Sequence, residues 1–185
     1  MSSDSRPNAA SADSHAQAPA WHTLISTLTL QPHPEGGYYR EVFRSEKAVG
    51  YRAGERSALT SILYLLAEGA FSAWHRIDAD EAWYFHKGNG LKLYVLHSDG
   101  RLETHHLGDP LIDPQAVMQA VVPAGCWFAA EPASPQDYAL VGCAVAPGFE
   151  FSGFELATEN DLAPAVRQHG DWLRRLLHPA MPRPA

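Results

Sequence analysis

Hydrophobic and polar residues alternate in short runs over the middle of the chain, from about residue 38 to residue 156. Successive residues of a strand point to opposite faces, so this pattern predicts about ten short β-strands. Turn residues separate the runs, and Asp99-Gly100 is a strong hairpin signal because both positions tolerate positive φ. Strands of this length and spacing predict an all-β protein, either a sandwich or a barrel.

The two ends of the chain show a different pattern. Residues 1–20 are small, polar and rich in alanine and serine, which predicts a disordered tail. Residues 21–30 and 161–177 place apolar side chains at helical spacing, so each segment predicts short amphipathic helix. We therefore expect one β-domain over residues 21–160, with a helical tail over residues 161–185.

Composition narrows the class of protein. Hydrophobic residues make up 45% of the chain and charged residues 19%, a balance that is typical of a globular domain. The net charge of −7 disfavours a nucleic-acid or anionic-membrane binder, because phosphates need a basic surface. No apolar run approaches a membrane span or a signal peptide. Cys126 and Cys143 form neither a disulfide framework nor a zinc spacing. We expect a soluble, reduced, cytoplasmic protein.

The stretch GAFSAWHRIDADEAWYFHKG, residues 69–88, carries the candidate chemistry. On regular strands His75 points to the same face as Ile77, and Glu81 begins the next strand after a short turn. His75 and Glu81 would then converge inside a barrel. A carboxylate beside an imidazole makes the imidazole more basic, which provides an acid or a base that works near neutral pH.

Aromatic and basic side chains complete the predicted site. By strand alternation, the inward-facing aromatic residues are Phe71, Trp83, Phe85 and Phe128. Such a lining suits a small organic ligand, although the same residues are also typical of a plain core. Tyr38, Arg40 and Arg44 share one face of a regular strand, and an arginine fork suits a carboxylate or a phosphate. For the two arginines, a structural or dimer-interface role remains open.

The spacing within residues 69–88 resembles the first motif of the cupin superfamily: glycine, His-x-His, a nearby glutamate and a closing glycine. Ile77 stands where the second histidine is expected. The second cupin motif is Pro-x-Gly followed by a histidine, and VVPAGCWFAAE at residues 121–131 is similar to it, with Phe128 in place of the histidine. The resemblance implies a double-stranded β-helix, the jelly-roll barrel, that pairs into a homodimer.

Two further segments make the resemblance closer. HPEGGYYRE, residues 33–41, and LVGCAVAPGFEFSGFEL, residues 140–156, resemble a bacterial and fungal cupin subfamily that is classed as a domain of unknown function. Structures of that subfamily are similar to the deoxysugar-epimerase cupins, which act on a sugar carbon with a histidine base and a tyrosine acid. No tyrosine of this chain maps onto the epimerase acid, so the resemblance implies a fold and assigns no reaction.

The same resemblance bears on metal binding. Metal-binding cupins hold their ion with three histidines and a glutamate, and at the matching positions this chain keeps only His75 and Glu81. Ile77 and Phe128 have no donor atom, and two ligands fall short of the three that are typical of a catalytic metal. We therefore expect no cofactor. A divalent metal held by His75, Glu81 and substitute ligands is the less favoured alternative.

These observations favour a metal-independent cupin that binds a small molecule, with isomerase- or epimerase-like chemistry on a sugar or a related polar metabolite. His75 would be the acid or base, Glu81 its partner, and Arg40 or Arg44 the anchor for an anionic group. Two alternatives remain open. One is a non-catalytic ligand-binding or sensor cupin, and the other is a metal-dependent oxygenase or isomerase with a non-standard ligand set.

Overall fold

Residues 20–52 and 54–178, which a computed structural model describes, form two facing β-sheets flanked by short helices. The disordered tail predicted for the N-terminus lies outside the described residues, apart from Ala20 at its end. Residues 179–185 of the predicted helical tail also lie outside them. Within the described part of the chain, no helix is long and apolar enough to cross a membrane.

Antiparallel pairing builds both sheets. The first sheet has six strands in the spatial order β1 (Gln31–Pro32), β2 (Tyr38–Arg44), β5 (Thr60–Ala67), β12 (Tyr138–Ala146), β7 (Asp80–Gly88) and β10 (Gln119–Val122). The second has five strands in the order β13 (Phe154–Leu156), β6 (Ser72–Ile77), β11 (Trp127–Pro132), β8 (Leu91–Leu96) and β9 (Leu102–Leu107). A separate hairpin, which the alternation pattern did not predict, consists of β3 (Ala48–Tyr51) and β4 (Gly54–Ser57).

The alternation within β5 shows why the two sheets pack face to face. Tyr64 and Leu66 point into the core between the sheets, whereas Leu63, Leu65 and Ala67 point to the outer face. Strands of the second sheet contribute to the same inner core, which closes a barrel-like interior. The predicted all-β fold, a double-stranded β-helix with short helices at both ends, is confirmed.

The predicted hairpin at Asp99-Gly100 joins β8 to β9. The amide of Gly100 donates to the carbonyl oxygen of His97 at 2.9 Å, and Gly100 has a φ of 85°. Glycine reaches this left-handed backbone without a steric penalty, which is why the sequence signal is reliable at this turn.

Helices cover the outer faces of both sheets. Helix α1 (Ala20–Thr27) packs against the outer side of the first sheet. It ends earlier than the predicted residue 30, because Thr29 takes a left-handed backbone with a φ of 53°. Helix α2 (Glu159–His169) and the 3-10 helix Asp171–Leu176 cover the second sheet, and Gly170 separates them. A further 3-10 turn, Phe151–Gly153, precedes β13.

The C-terminal 3-10 helix is held by both apolar packing and a hydrogen bond. Leu173 and Leu176 are fully buried, and they share a core cluster with Trp74 of β6. The indole N–H of Trp74 donates to the carbonyl oxygen of Leu173 at 2.9 Å. This segment is therefore part of the packed structure rather than an appendage.

Leu173→Ala is expected to lower the free energy of unfolding by about 3 kcal/mol, because it leaves a cavity in a fully packed core. Leu111→Ala is the matched control: Leu111 is 93% exposed, so its truncation is expected to change stability by less than about 0.5 kcal/mol. Urea denaturation measures both values. Equal effects of the two substitutions would contradict the packing of the C-terminal segment.

Candidate functional site

A cavity of about 320 Å³ lies between the two sheets, among residues of β1, β2, β5, β6, β7 and β12. Its volume is within the range of small-molecule sites. Four of the buried residues that line it are titratable: Glu35, His75, Glu81 and Cys143. The more exposed part of the lining comes from β2 and from residues 147–153, which we call the rim loop.

A glycine turn directs Glu35 into this cavity. Gly36 and Gly37 have φ values of 113° and 70°, as expected for glycines that permit a tight turn. A Cβ at Gly36 would lie 2.2 Å from the carbonyl oxygen of Phe71, so a side chain does not fit there. The Tyr64 hydroxyl donates to the carbonyl oxygen of Gly36 at 2.7 Å. The turn is thus anchored to the first sheet, and Glu35 is only 5% exposed.

Glu35 meets His75 in the buried part of the cavity. Oε2 of Glu35 lies 2.9 Å from Nδ1 of His75, and Nδ1 lies 2.7 Å from the carbonyl oxygen of Ala73. A carbonyl only accepts hydrogen bonds, so Nδ1 carries a proton and Nε2 is left for a ligand. The Nδ1–H of His75 is directed at the carbonyl oxygen of Ala73. Oε2 of Glu35 therefore receives no hydrogen bond from any described residue, although Nδ1 lies close to it.

Burial and charge act on this pair in opposite directions. Burial alone would lower the pKa of His75, but the Glu35 carboxylate outweighs it, and the pKa of His75 is raised. Burial alone would raise the pKa of Glu35, but His75 and His33 reverse that shift, and the pKa of Glu35 is lowered. His33 contributes because its Nδ1 lies 3.5 Å from Oε1 of Glu35. Both shifts favour the charged forms, so the contact favours a buried ion pair.

Glu81 is the second buried carboxylate of the cavity. It extends from β7 and is 7% exposed, near Cys143 of the adjacent strand β12. Burial raises the pKa of Glu81 to about 7, although the charge of His75 opposes the shift. Burial also raises the pKa of the Cys143 thiol, which disfavours a nucleophilic thiolate. Glu35 and Glu81 thus differ in their protonation at neutral pH, an arrangement that separates a base from an acid.

The structure brings the two predicted catalytic residues, His75 and Glu81, into one cavity. The carboxylate in close contact with His75, however, is Glu35, which strand alternation did not indicate. Arg76, the neighbour of His75 in β6, pairs with Glu155 at 2.6 Å and not with Glu81. Glu35 lies in a turn, where alternation predicts nothing. The signal for its position was the glycine pair that follows it.

The aromatic lining of the cavity differs from the prediction. Trp83, Phe85 and Phe128 pack with the core between the sheets, and the Phe128 ring centroid lies 3.9 Å from that of His75. Phe71 packs on the outer side of the second sheet, because a bulge in the pairing of β6 with β11 reverses the alternation. The aromatic residues that line the cavity are Tyr39, Phe149, Phe151 and Phe154.

A second bulge changes which side chains of β2 face the cavity. The register with β5 shifts between Glu41 and Phe43, which brings Arg44 to the cavity side of the strand. Tyr38 packs on the outer side of the sheet, with the residues that contact α1. Arg40 keeps the alternation of Tyr38 and does not line the cavity. The predicted common face of Tyr38, Arg40 and Arg44 is therefore wrong.

Arg44 connects β2 to the rim loop. Its guanidinium lies 2.9 Å from a carboxylate oxygen of Glu41 and 2.9 Å from one of Glu150. It also donates to the carbonyl oxygen of Phe149 at 3.3 Å. Two carboxylates thus compensate one cation, which makes Arg44 a clamp for the rim loop and a poor anchor for an anionic ligand.

Two facing antiparallel sheets that form a jelly-roll barrel are the architecture of the cupin class of proteins. The comparison with family models identifies the particular family. A model described as "Cupin superfamily (DUF985)" matches residues 22–157, and the chain belongs to that family. A search of curated proteins finds no match.

Solved structures are similar to this chain over most of its length. A protein from Shewanella oneidensis is 39% identical, with a TM-score of 0.76 and coverage of 85% of this chain and 97% of its own. A hypothetical protein from Leishmania major is 32% identical, with a TM-score of 0.75 and coverage of 85% and 98%. A cupin-2 domain from Rhodospirillum rubrum, at 15% identity, a TM-score of 0.51 and 78% coverage of each chain, shows the fold alone.

The donor set does not fit the metal centre that metal-binding cupins imply. Ile77 lines the cavity beside His75 and has no donor atom, and Phe128 packs its ring against the imidazole. Nδ1 of His75 faces Glu35 and a backbone carbonyl. Among the residues placed in the structure, no group of three His, Cys, Asp or Glu side chains is arranged to hold an ion. We therefore derive no chemistry through a metal.

The stability of Glu81→Gln relative to wild type is expected to increase as the pH rises from 5 to 8. The pKa of Glu81 is about 7 in the fold, against an ordinary value of 4.5. The free energy of unfolding of wild type therefore falls by up to about 3 kcal/mol as the pH rises through this interval, because Glu81 must ionise while it is buried. Glutamine does not ionise, so the variant does not have this loss. Urea denaturation at several pH values measures the difference. Glu155→Gln is the exposed control, and a pH-independent difference for Glu81→Gln would contradict the burial of a neutral carboxyl.

Arg44→Gln is expected to release the rim loop, because it removes both ion pairs of the clamp. Amide hydrogen exchange within residues 147–153 should accelerate by up to about fivefold, the effect of roughly 1 kcal/mol from partly exposed ion pairs. Arg40→Gln is the matched control, since Arg40 lies on the other face of β2. Unchanged exchange in the Arg44 variant would show that the clamp does not hold the loop.

Proposed function

We propose that this protein is a metal-independent cupin that binds a small polar organic molecule and transfers protons on it. The observation that carries the proposal is that one cavity contains both the Glu35–His75 ion pair and the buried carboxyl of Glu81. The cavity volume of about 320 Å³ suits a small molecule, and its lining combines aromatic faces with a few polar groups.

The two acid–base groups have complementary roles. Glu81, with a pKa of about 7, is present at neutral pH both as a carboxylate that accepts a proton and as an acid that donates one. His75 makes the opposite transfer through Nε2. A proton removed from one carbon of the ligand and delivered to another position gives an isomerisation, and one delivered to the opposite face of the same carbon gives an epimerisation. Atoms and electrons balance in both.

Glu35 is a positioning residue in this scheme. It acts through His75: its charge raises the pKa of the imidazole, while the Ala73 carbonyl accepts the Nδ1 proton and leaves Nε2 to exchange a proton with the ligand. The Phe128 ring packs against the imidazole and limits its rotation. The orientation of Nε2 is thus determined before a ligand enters. The homodimer and the cytoplasmic location expected from the sequence stay predictions.

Solvent deuterium tests this chemistry for a substrate of any identity. Polar metabolites that bind wild type in native mass spectrometry are incubated with it in D₂O, and ligand mass is followed with time. We expect at least one bound compound to gain deuterium at carbon. His75→Gln and Glu81→Gln should slow this gain by about 100-fold or more, the usual contribution of an acid–base group.

Glu155→Gln is the control for this experiment, because Glu155 pairs with Arg76 and does not line the cavity. Circular dichroism establishes that each variant is folded. Binding without any deuterium gain or conversion after prolonged incubation would overturn the catalytic proposal and favour a non-catalytic ligand-binding cupin.

A further inference from the structure

Carboxylates dominate the charge of the cavity. Four glutamates line it, against a single guanidinium from Arg44: Glu35, Glu41, Glu81 and Glu150. Two imidazoles, from His33 and His75, also line it; the pKa of His75 is raised, and its positive charge offsets that of Glu35, which still leaves more carboxylates than cations in the cavity. An anionic ligand would therefore enter among like charges, which disfavours its binding, whereas a cation would be attracted.

The one guanidinium is already compensated. Arg44 lies 2.9 Å from both Glu41 and Glu150, so a ligand carboxylate or phosphate would have to displace a protein carboxylate to reach it. The charge of the rim therefore repels anions as well. Arg44 consequently does not serve as the anion anchor that the sequence suggested.

A buried acceptor in the cavity lacks a donor. Oε2 of Glu35 accepts no hydrogen bond from any residue that the structure describes, and the Glu35 side chain is only 6% exposed. The nearest N–H, on Nδ1 of His75, is directed at the carbonyl oxygen of Ala73. His75 compensates the charge of Glu35 without an aligned hydrogen bond to Oε2, so a ligand N–H that reached this carboxylate would add a charge-assisted hydrogen bond.

Aromatic rings line the same cavity as these carboxylates. Phe149 and Phe151 have ring centroids 5.0 Å apart, and Phe154 lies 6.1 Å from Phe149. Tyr39 adds a further ring to the lining. Aromatic faces attract an ammonium group through their quadrupole, and they also pack against an apolar ligand body.

We infer that this cavity recognises a small organic cation: a protonated amine with at least one N–H, attached to an apolar or aromatic body. The ammonium group donates to the carboxylate of Glu35, and the body packs between the rings of the rim loop. This inference rests on the proposed function, because it names the ligand class of the same site. Among polar metabolites it selects amines over neutral sugars and over acids.

Three compounds with similar skeletons test the ligand class: 2-phenylethylamine, 2-phenylethanol and phenylacetate. Their binding to wild type is measured by isothermal titration calorimetry at pH 7.5 and constant ionic strength. The amine is expected to bind about tenfold or more tightly than the alcohol, in line with a charge-assisted hydrogen bond. Phenylacetate is expected to show no binding at concentrations that saturate the protein with the amine.

Two variants locate the effect. Glu35→Gln should lower the affinity for the amine about tenfold and leave the affinity for the alcohol nearly unchanged. Glu155→Gln, outside the cavity, should change neither affinity. Because a change at a buried residue can impair folding, Glu150→Gln provides a second test at an exposed position. The Glu150→Gln substitution leaves Arg44 with one carboxylate partner fewer. It should therefore lower the affinity for the amine and increase the affinity for phenylacetate.

Each outcome decides the inference. Absence of amine binding, or binding of the alcohol or the acid as tight as that of the amine, overturns the ligand class. If another bound compound then still gains deuterium, only this inference falls and the acid–base function stands. If the amine binds with the expected preference and no bound compound exchanges, the acid–base function falls and the ligand class stands.

Discussion

The buried contact between Glu35 and His75 joins the turn before β2 to a strand of the opposite sheet. Two charges that leave water cost several kcal/mol each unless they compensate one another, so each residue requires the other in place. The rest of the site depends on this contact. The contact raises the pKa of His75 and so favours the positively charged imidazole. That positive charge in turn opposes the rise that burial causes in the pKa of Glu81. Gly36 permits the tight turn that makes this contact possible, because a Cβ at that position would clash with the carbonyl oxygen of Phe71.

Strand alternation predicted the site where the strands are regular and failed where they are not. It placed Glu81 and Trp83 on the inner face of β7, as the structure has them. It misplaced Phe71 and Arg44, because a bulge inserts one residue and reverses every face beyond it without a signal in the composition. Glu35 could not be found in this way, since a turn has no period and a contact between distant segments depends on the closed barrel.

Ile77 and Phe128 show how a shared barrel supports different chemistry. Motif spacing identified both as positions where metal-binding cupins have a histidine, and neither side chain has a donor atom. Both side chains are buried next to His75. In a metal-binding relative of this fold, the ion orients the histidine that it binds. Here a carboxylate and a backbone carbonyl orient it instead. The function is thus determined by the few side chains around the imidazole rather than by the barrel.

The origin of the site in distant parts of the chain has a consequence for biosynthesis. Glu35 precedes β2, His75 lies in β6, Glu81 in β7 and Cys143 in β12, the last strand but one. During translation the first carboxylate emerges from the ribosome long before its neighbours, and the cavity cannot exist until nearly the whole barrel has been synthesised. A nascent or truncated chain consequently exposes separate, ordinary side chains to the cell. The cavity is therefore assembled only when the segments that supply these four residues have all been synthesised.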